Sequence, residues 1–353
     1  MSTLLNAQSL RDRLLFAIPK KGRLYEKCLE LLSGADIQFK RAHRLDVALV
    51  QNLPIALVFL PAADIPRFVA HGNVDLGITG QDMVAEAGHE VQSLIKEIVE
   101  LGFGKCKLQV QVPEKVDETA ASEEGQARKP FETVEELVGR KIATSFDFLA
   151  GTYFKELDAK VNEKRKADGL DPLPATQIEY LGGSVEAACA LGVADGIVDL
   201  VESGETMRAC GLHPISTLLS SQAVLIKSAT PHPRLAATKS FTLAGNVTPS
   251  RPNANGTNDS ASALLDLITS RIRGVIAADK YVLCQYNVQG NDLDGILKIT
   301  PGRRAPTVSP LREDGWSAVS VMVLKNQLAE VMDKLEVAGA EDILVTNLYN
   351  CRV

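Results

Sequence analysis

The chain has 353 residues, of which 45% are hydrophobic and 23% charged, and it carries a formal net charge of −6. Such a composition is typical of a globular protein with two or three domains. The negative charge argues against broad binding to nucleic acid or to a membrane surface, although a local basic pocket is compatible with it. The six cysteines include no C-x-x-C pair, which indicates reduced thiols.

Two polar stretches, 114–130 and 245–262, interrupt the globular pattern of the sequence. They bury too little apolar surface to offset their ordering entropy, so we predict two exposed insertions, the second of them a linker. The N-terminus shows no signal-peptide pattern, and no apolar run is long enough to span a bilayer. The sequence therefore predicts a cytoplasmic protein with no membrane and no nucleic-acid partner.

Strand and helix signals alternate in the first block of the chain. Buried-strand patterns occupy residues 14–18, 55–60 and 74–79. A helical pattern begins at Arg23 and stops at Gly34, and a shorter one covers ADIPRFVAHG. This alternation predicts a parallel sheet with helices on its faces. Ligands of such sheets lie beyond the carboxyl ends of the strands, where the PKKGR loop (residues 19–23) and TGQD are found.

The second block repeats this pattern. Strands are predicted at 108–112, 141–145, 178–181 and 196–201, and helices at 148–161 and 184–192. Residues 217–228 are predicted as one strand that returns to the first sheet. Two α/β lobes joined by crossing strands leave a cleft between them. The ESGET loop (residues 202–206) follows the strand 196–201 at its carboxyl end.

The third block begins with a predicted helix at 263–280. Its remaining signals follow the order βαββαβ, with strands at 281–288, 306–311, 316–324 and 342–349 and helices at 291–299 and 326–340. That order is typical of a ferredoxin-like domain. None of its loops has catalytic character, which favours a regulatory or oligomeric role.

Each loop motif has two interpretations when it is taken alone. The ESGET loop provides backbone N–H groups, a glycine and two hydroxyls for a phosphate, or it is a plain turn with Ser203 as the N-cap. The three cations of the PKKGR loop fit a polyphosphate, or they are solvated surface residues. In GGSVEAACALG, Ser184 is predicted to cap a helix that turns Val185, Ala188 and Leu191 towards the sheet. Histidine catalysis and a protein-held metal have little support.

Taken together, the ordered motifs resemble the ATP phosphoribosyltransferase family in its long, histidine-regulated form. The resemblance runs from about Leu14 to Val353 and rests on IPKKGRLYEKCLELLSGADI, DIPRFVAHGNVDLGITGQDMV, LGFGKCKL, GRKIATSFDFL, GGSVEAACALGVADGIVDLVESGETM, PGRRAPTVSPL and GAEDILVTNLYNCRV. One departure is Met207, where many relatives carry Leu.

The resemblance implies two periplasmic-binding-protein-like α/β lobes around a cleft and a C-terminal ferredoxin-like (ACT-like) domain. The implied domains are lobe I at 1–105, completed by about 214–230, lobe II at 106–213, a linker with a connecting helix at 231–280, and the regulatory domain at 281–353.

The resemblance also implies the reaction. The phosphoribosyl group of 5-phosphoribosyl 1-pyrophosphate (PRPP) passes to N1 of the ATP adenine with release of pyrophosphate, as the first step of histidine biosynthesis. Mg²⁺ would arrive chelated by substrate, histidine would inhibit, and dimers would assemble into hexamers. The implied PRPP-binding residues are Asp199, Glu202, Ser203, Gly204, Glu205 and Thr206.

Other roles follow from the same resemblance. Lys20, Gly22, Arg23 and Asp75 would bind ATP, Asp199, Lys20 and Arg23 would be catalytic, and Thr307 and Asn287 would bind the effector. Two alternatives stay open at this point: a two-lobed binding protein without chemistry, and a phosphoribosyltransferase with another acceptor.

Overall fold

Residues 10, 13–41, 45–114, 130–229 and 260–352 are described by a computed structural model. The two predicted insertions fall almost entirely outside these ranges, as does most of the predicted linker before residue 260. Within the described ranges, none of the helices combines the length and hydrophobicity that a transmembrane span requires.

The sheet of lobe I has the strand order β2-β3-β1-β4-β11-β5. Its strands are β1 Leu14–Pro19, β2 Val47–Leu49, β3 Ile55–Leu60, β4 Leu76–Gly80, β5 Ile95–Glu100 and β11 Ala223–Ser228. The three predicted strands are confirmed, and β1 runs parallel to both β3 and β4. The sequence patterns missed β2, which is short, and β5, whose side chains are at most half-buried.

The helices of the first block are α1 Arg23–Gly34, α2 Ile65–Ala70, α3 Gln81–Glu86 and α4 His89–Ser93. Helix α1 buries Cys28, Leu31 and Leu32, which recur at helical spacing, and it ends at Gly34 as predicted. Helix α2 packs Ile65 and Val69 into a core that β1, β3 and β11 share. The carboxyl ends of β1 and β4 thus lead directly into the loops that precede α1 and α3.

The sheet of lobe II has the order β10-β6-β9-β7-β8. Its strands are β6 Cys106–Pro113, β7 Lys141–Thr144, β8 Gln177–Tyr180, β9 Gly196–Val201 and β10 Leu212–Ser221, and its helices are α5 Asp147–Ala167 and α6 Glu205–Ala209. Helix α5 buries Ala150 and Phe154 against β6, β7 and β9. Because β7 and β9 are parallel, α5 and the ESGET loop begin at the same edge of this sheet.

Two predictions in this lobe are wrong. Residues 217–228 do not form one strand, because the chain leaves the lobe II sheet at Ser221 and enters the lobe I sheet at Ala223. Residues 184–192 form only a 3-10 turn at Val185–Ala187. Ser184 has a left-handed backbone (φ 53°) and caps nothing. Val185 and Ala188 are buried as expected, but Leu191 is 75% exposed.

The C-terminal sheet has the order β13-β14-β12-β15. After helix α7 Ser260–Lys280 come β12 Tyr281–Gln289, α8 Leu293–Ile299, β13 Thr307–Pro310, β14 Trp316–Leu324, α9 Leu328–Val337 and β15 Glu341–Asn347. The predicted βαββαβ order is confirmed. Alternate residues of β12 and β14, among them Cys284, Tyr286 and Val321, form a core with α8 and α9. The fold is therefore two α/β lobes of the periplasmic-binding-protein-like class followed by a ferredoxin-like domain.

The described residues group into two compact units. One contains both lobe sheets, and the other contains the C-terminal sheet, α7 and the short stretches 28–40 and 50–54. The sequence-based domain boundaries, which place those short stretches in lobe I, stay a prediction.

Candidate active site

The ESGET loop forms a tight turn between β9 and α6. Gly204 has a φ of 75° and is the N-cap residue of α6, so the alternative of Ser203 as the N-cap is wrong. The Ser203 hydroxyl instead accepts a hydrogen bond from the Glu205 N–H at 3.3 Å. Arg208 folds back and donates to the Ser203 carbonyl at 3.1 Å. A left-handed glycine allows the close turn that a side chain would strain.

A cavity of ≈ 520 Å³ lies beside this loop. Its lining combines the ESGET loop with the segments that cross between the lobes, and it includes Gln81, Lys105, Cys106, Lys107, Gln109, Val201, Glu202, Ser203, Gly204, Met207, Arg208, Ser220, Ser221 and Gln222. Three cations are therefore close to the loop whose own side chains are acidic or neutral. Asp199, Glu205 and Thr206 are not among the described residues that line this cavity.

Asp199 lies on β9, three residues before the first residue of the loop. Its Oδ1 accepts a hydrogen bond from the Leu200 N–H at 2.8 Å, and its carbonyl accepts one from Gln111 Nε2 at 3.3 Å. Burial raises the pKa of Asp199, and the nearby Glu186 carboxylate raises it further, whereas the Leu200 N–H lowers it. The carboxylate is thus held in a partly desolvated place.

The PKKGR loop of lobe I meets the ESGET loop through an ion pair. Arg23 Nη1 lies 2.5 Å from Glu202 Oε2, with the side chains 78% and 37% exposed. The Lys20 N–H donates to the Leu60 carbonyl at 2.8 Å, and Gly22 takes a left-handed φ of 83°. The structure therefore brings Lys20, Gly22 and Arg23 together at the carboxyl edge of the lobe I sheet.

Asp75 lies at the opposite edge of the same sheet. Its Oδ2 accepts a hydrogen bond from the Leu15 N–H at 2.7 Å, and its own N–H donates to the Leu15 carbonyl at 2.9 Å. Lys20 follows Leu15 by five residues along the chain. At the rise of a strand, these two residues are about 16 Å apart. The structure therefore does not bring Asp75 together with the PKKGR loop, and it gives Asp75 a structural role at the start of β1 and β4.

A buried pair of side chains, Asp82 and Ser221, holds α3 against the segment that crosses between the lobes. Ser221 donates its O–H to Asp82 Oδ1 at 2.5 Å and accepts the Asp82 N–H at 3.0 Å. Asp82 is the second residue of α3 and does not cap it, since the N-cap residue is Gly80. Burial raises the pKa of Asp82, and the Ser221 hydroxyl lowers it in part.

Cys106 begins β6 at the floor of the cavity. Burial raises the pKa of its thiol to about 11, and the nearby Asp82 carboxylate acts in the same direction. A thiol with that pKa is almost entirely protonated at neutral pH, and only the thiolate is a good nucleophile. The cavity is therefore not built for covalent catalysis by cysteine.

In the C-terminal domain, Thr307 and Asn287 lie on the same sheet face. Thr307 pairs with Ser320, and Asn287 pairs with Ala318, two residues away on the shared neighbour β14. This face is the one opposite the core. Two strand spacings (about 10 Å) and a two-residue offset along the strands (about 7 Å) place the residues about 12 Å apart. Asn287 Nδ2 donates to Asp342 Oδ2 at 2.9 Å.

Some residues of the cavity carried no usable sequence signal. Lys105 and Lys107 stand in the quoted segment LGFGKCKL, but their surroundings depend on where the chain crosses between the lobes. Gln81, Ser221 and Gln222 meet because Gln81 N–H donates to the Gln222 carbonyl at 3.0 Å. The only available hint was the polar SSQ interruption between two apolar runs.

The fold and the cleft together define a two-lobed α/β enzyme with a C-terminal ferredoxin-like domain. Residues 61–242 match the family model described as ATP phosphoribosyltransferase, and residues 278–350 match the one described as HisG, C-terminal domain. The chain belongs to the ATP phosphoribosyltransferase family in its long form, and it is a transferase of histidine biosynthesis.

Curated relatives align over nearly the whole chain. The ATP phosphoribosyltransferase of Yarrowia lipolytica is 52% identical over 346 residues, which is 98% of each chain. That of Schizosaccharomyces pombe is also 52% identical, over 97% of this chain and 98% of its own. That of Saccharomyces cerevisiae is 47% identical over 98% of each chain.

Proposed function

We propose that this enzyme transfers the phosphoribosyl group of PRPP to N1 of the ATP adenine and releases pyrophosphate. Its membership of the ATP phosphoribosyltransferase family supports the reaction. The observation that carries the residue assignment is the cavity of ≈ 520 Å³, in which the ESGET loop and three cations share one lining. A cleft that receives two anionic substrates requires both neutral donors and cations.

The PRPP half-site is proposed in lobe II. Backbone N–H groups around Gly204 and the hydroxyls of Ser203 and Thr206 would hold the 5′-phosphate. Asp199 would bind the ribose hydroxyls after releasing the Leu200 N–H, and Glu202 and Glu205 flank the loop. Lys105, Lys107 and Arg208 are added to the proposal, since they line the cavity and suit the pyrophosphate.

The ATP half-site is proposed in lobe I. Lys20 and Arg23 would neutralise the triphosphate, and Gly22 allows the chain to approach it closely. Asp75 is left out of the proposed site because its hydrogen bonds hold the far edge of the sheet. The Arg23–Glu202 ion pair supports a cleft in which the two half-sites face each other.

The chemistry requires alignment more than acid–base groups. Adenine N1 donates its electron pair to C1′ of PRPP as the bond from C1′ to the pyrophosphate oxygen breaks, and the bond's electrons leave with pyrophosphate. Mg²⁺ is proposed to arrive chelated by the substrate, where it would make pyrophosphate a better leaving group. The described residues include no group of three His, Cys, Asp or Glu side chains that could hold a metal by themselves. Lys20 and Arg23 would stabilise the charge that develops on the phosphates.

Further parts of the proposal concern regulation and assembly. Histidine would bind the open face of the C-terminal sheet near Thr307 and Asn287 and inhibit. The enzyme would act in the cytoplasm as dimers that assemble into hexamers.

The test is an absorbance assay of the full chain with PRPP, Mg²⁺ and ATP, with other nucleotides and free bases in parallel. We expect product with ATP only. The variant Ser203→Ala/Thr206→Ala should raise the KM for PRPP by about tenfold, as expected for two lost hydrogen bonds to a phosphate. Binding of PRPP without turnover would favour a binding protein, turnover with another base would change the acceptor, and an unaltered KM would remove the hydroxyls from the site.

A further inference from the structure

Helix α5 of lobe II receives its N-terminal cap from lobe I. Its N-cap residue, Phe146, provides no side-chain hydrogen bond. Instead, the N–H groups of Phe148 and Leu149 donate to the two carboxylate oxygens of Glu86, at 2.8 Å and 3.0 Å. Glu86 is the last residue of α3 and stands 62 residues before Phe148 in the chain. Helix N-caps are usually supplied by a residue next to the first turn. A cap from another lobe instead links the position of the helix to that lobe.

Glu86 belongs to a face of α3 that contacts lobe II along its whole length. Asp82 binds Ser221, and Met83 packs against the lobe II core that includes Phe146 and Phe154. The positions 82, 83 and 86 share one helical face because they are three and four residues apart. Beyond α3, the His89 ring meets the Phe148 ring edge-on, with centroids 5.4 Å apart. Helix α3 is therefore a piece of lobe I that is docked onto lobe II.

The charges around Glu86 come from both lobes. Burial raises the pKa of the Glu86 carboxyl, the Phe148 and Leu149 N–H groups lower it, Asp147 raises it and Arg67 lowers it. The two α5 N–H groups thus stabilise the half-buried Glu86 carboxylate, and the carboxylate in turn provides the hydrogen-bond acceptors for these N–H groups.

We infer that Glu86 is a positioning residue for the transfer reaction: by holding the first turn of α5, it fixes the angle between the lobes at which Arg23 meets Glu202. This inference rests on the proposed function. The Arg23 side chain is 78% exposed, so its ion pair with Glu202 is too weak to hold the lobes by itself. The α3 contacts lie beside Ser221, where the chain crosses between the lobes. If one lobe rotates about this point, the PKKGR and ESGET loops, which are further from it, move more than α3 does.

The experiment compares Glu86→Ala and Glu86→Gln with the matched control Glu90→Ala, an exposed glutamate four residues later. We expect Glu86→Ala to lower kcat about tenfold, the rate equivalent of a lost cap. The KM of each substrate should change less than about twofold, because each half-site is intact within its own lobe. Glu86→Gln keeps a carbonyl acceptor and should retain most of the rate. Amide exchange at Phe148 and Leu149 should accelerate in Glu86→Ala and stay slow in Glu90→Ala.

A double-variant cycle with Arg23→Ala separates positioning from stability. If Glu86 acts through the Arg23–Glu202 meeting, the kcat loss caused by Glu86→Ala should shrink to less than about threefold in the Arg23→Ala background. If the kcat losses of Glu86→Ala and Arg23→Ala multiply in full in the double variant, the inference is overturned. It is also overturned if Glu86→Ala has the wild-type kcat although its amides at Phe148 and Leu149 exchange faster. If Glu86→Ala does not fold, the same cycle is run with Glu86→Met, which keeps a side chain of similar length and provides no oxygen acceptor for the Phe148 and Leu149 N–H groups. Absence of product from the unaltered enzyme would refute the proposed function, which is a separate outcome.

Discussion

Replacing Gly204 by alanine tests whether the shape of the ESGET loop binds PRPP. The residue has a φ of 75°, a conformation that costs an L-residue roughly 1–2 kcal/mol. A Cβ there would also lie 2.8 Å from Arg208 Nη1, so the guanidinium that donates to the Ser203 carbonyl must shift. If the loop relaxes to relieve the strain, PRPP must restore the bound shape, and the same energy corresponds to a KM about 5–30 times higher. We expect that increase for PRPP and little change for ATP.

The matched control is Gly211→Ala. Gly211 has a similar φ of 65° in the same lobe, it lies outside the cavity lining, and a Cβ there would meet nothing within 4 Å. Gly211→Ala should therefore lose about 1–2 kcal/mol of unfolding free energy in urea titrations, and Gly204→Ala should lose less, because relaxation of its loop relieves part of the strain. Only Gly204→Ala should alter the KM for PRPP in steady-state kinetics. Equal PRPP kinetics in the two variants would refute the assignment of phosphate binding to this turn.

Two further predictions concern Asp82 and Thr307. Burial raises the folded-state pKa of Asp82 above the ordinary 3.8. Stability should then fall as pH rises from 3.8 through that raised pKa, because the folded chain binds the proton more tightly than the unfolded chain. Asp82→Asn removes this loss and keeps an acceptor for Ser221, so in urea titrations it should gain on the wild type as the pH rises above 3.8; parallel stability curves would contradict this. Thr307→Ala should raise the histidine concentration for half-inhibition by about 2–10-fold, the equivalent of one hydrogen bond, while uninhibited turnover stays the same. Superimposable inhibition curves would place the effector elsewhere.

The parts of the fold that the sequence predicted well are those in which local patterns and burial agree. Strands β1, β3 and β4 are continuous apolar runs and are almost wholly buried. The polar interruption at Ser220–Gln222 was read as part of one strand, because periodicity does not record which sheet a residue joins. At 184–192, the apolar residues have helical spacing, but Ser184 and Gly192 both have a left-handed backbone. The segment therefore forms a turn and not the predicted helix.

The candidate site divides in the same way. The two loops were found because glycines, hydroxyls and cations stand together in sequence, and a cleft between the two lobes was predicted from the strand order. The ion pair between Arg23 and Glu202 was not predicted. Lys105 and Lys107 were missed because they join the site only through the crossing of the chain. Asp75 was expected to bind ATP together with Lys20, Gly22 and Arg23. It precedes β4, however, and therefore lies at the amino edge of the sheet, away from the ligand loops.

The placement of β11 has a consequence for how the chain folds during synthesis. In the lobe I sheet, β11 lies between β4 and β5 and pairs with both, and β5 has no other strand partner among the described residues. Lobe I therefore cannot complete its sheet until residues 223–228 have left the ribosome, after the strands of lobe II have been made. A fragment that ends before Ala223 would expose the edges of β4 and β5, and the two lobes should mature together rather than one after the other.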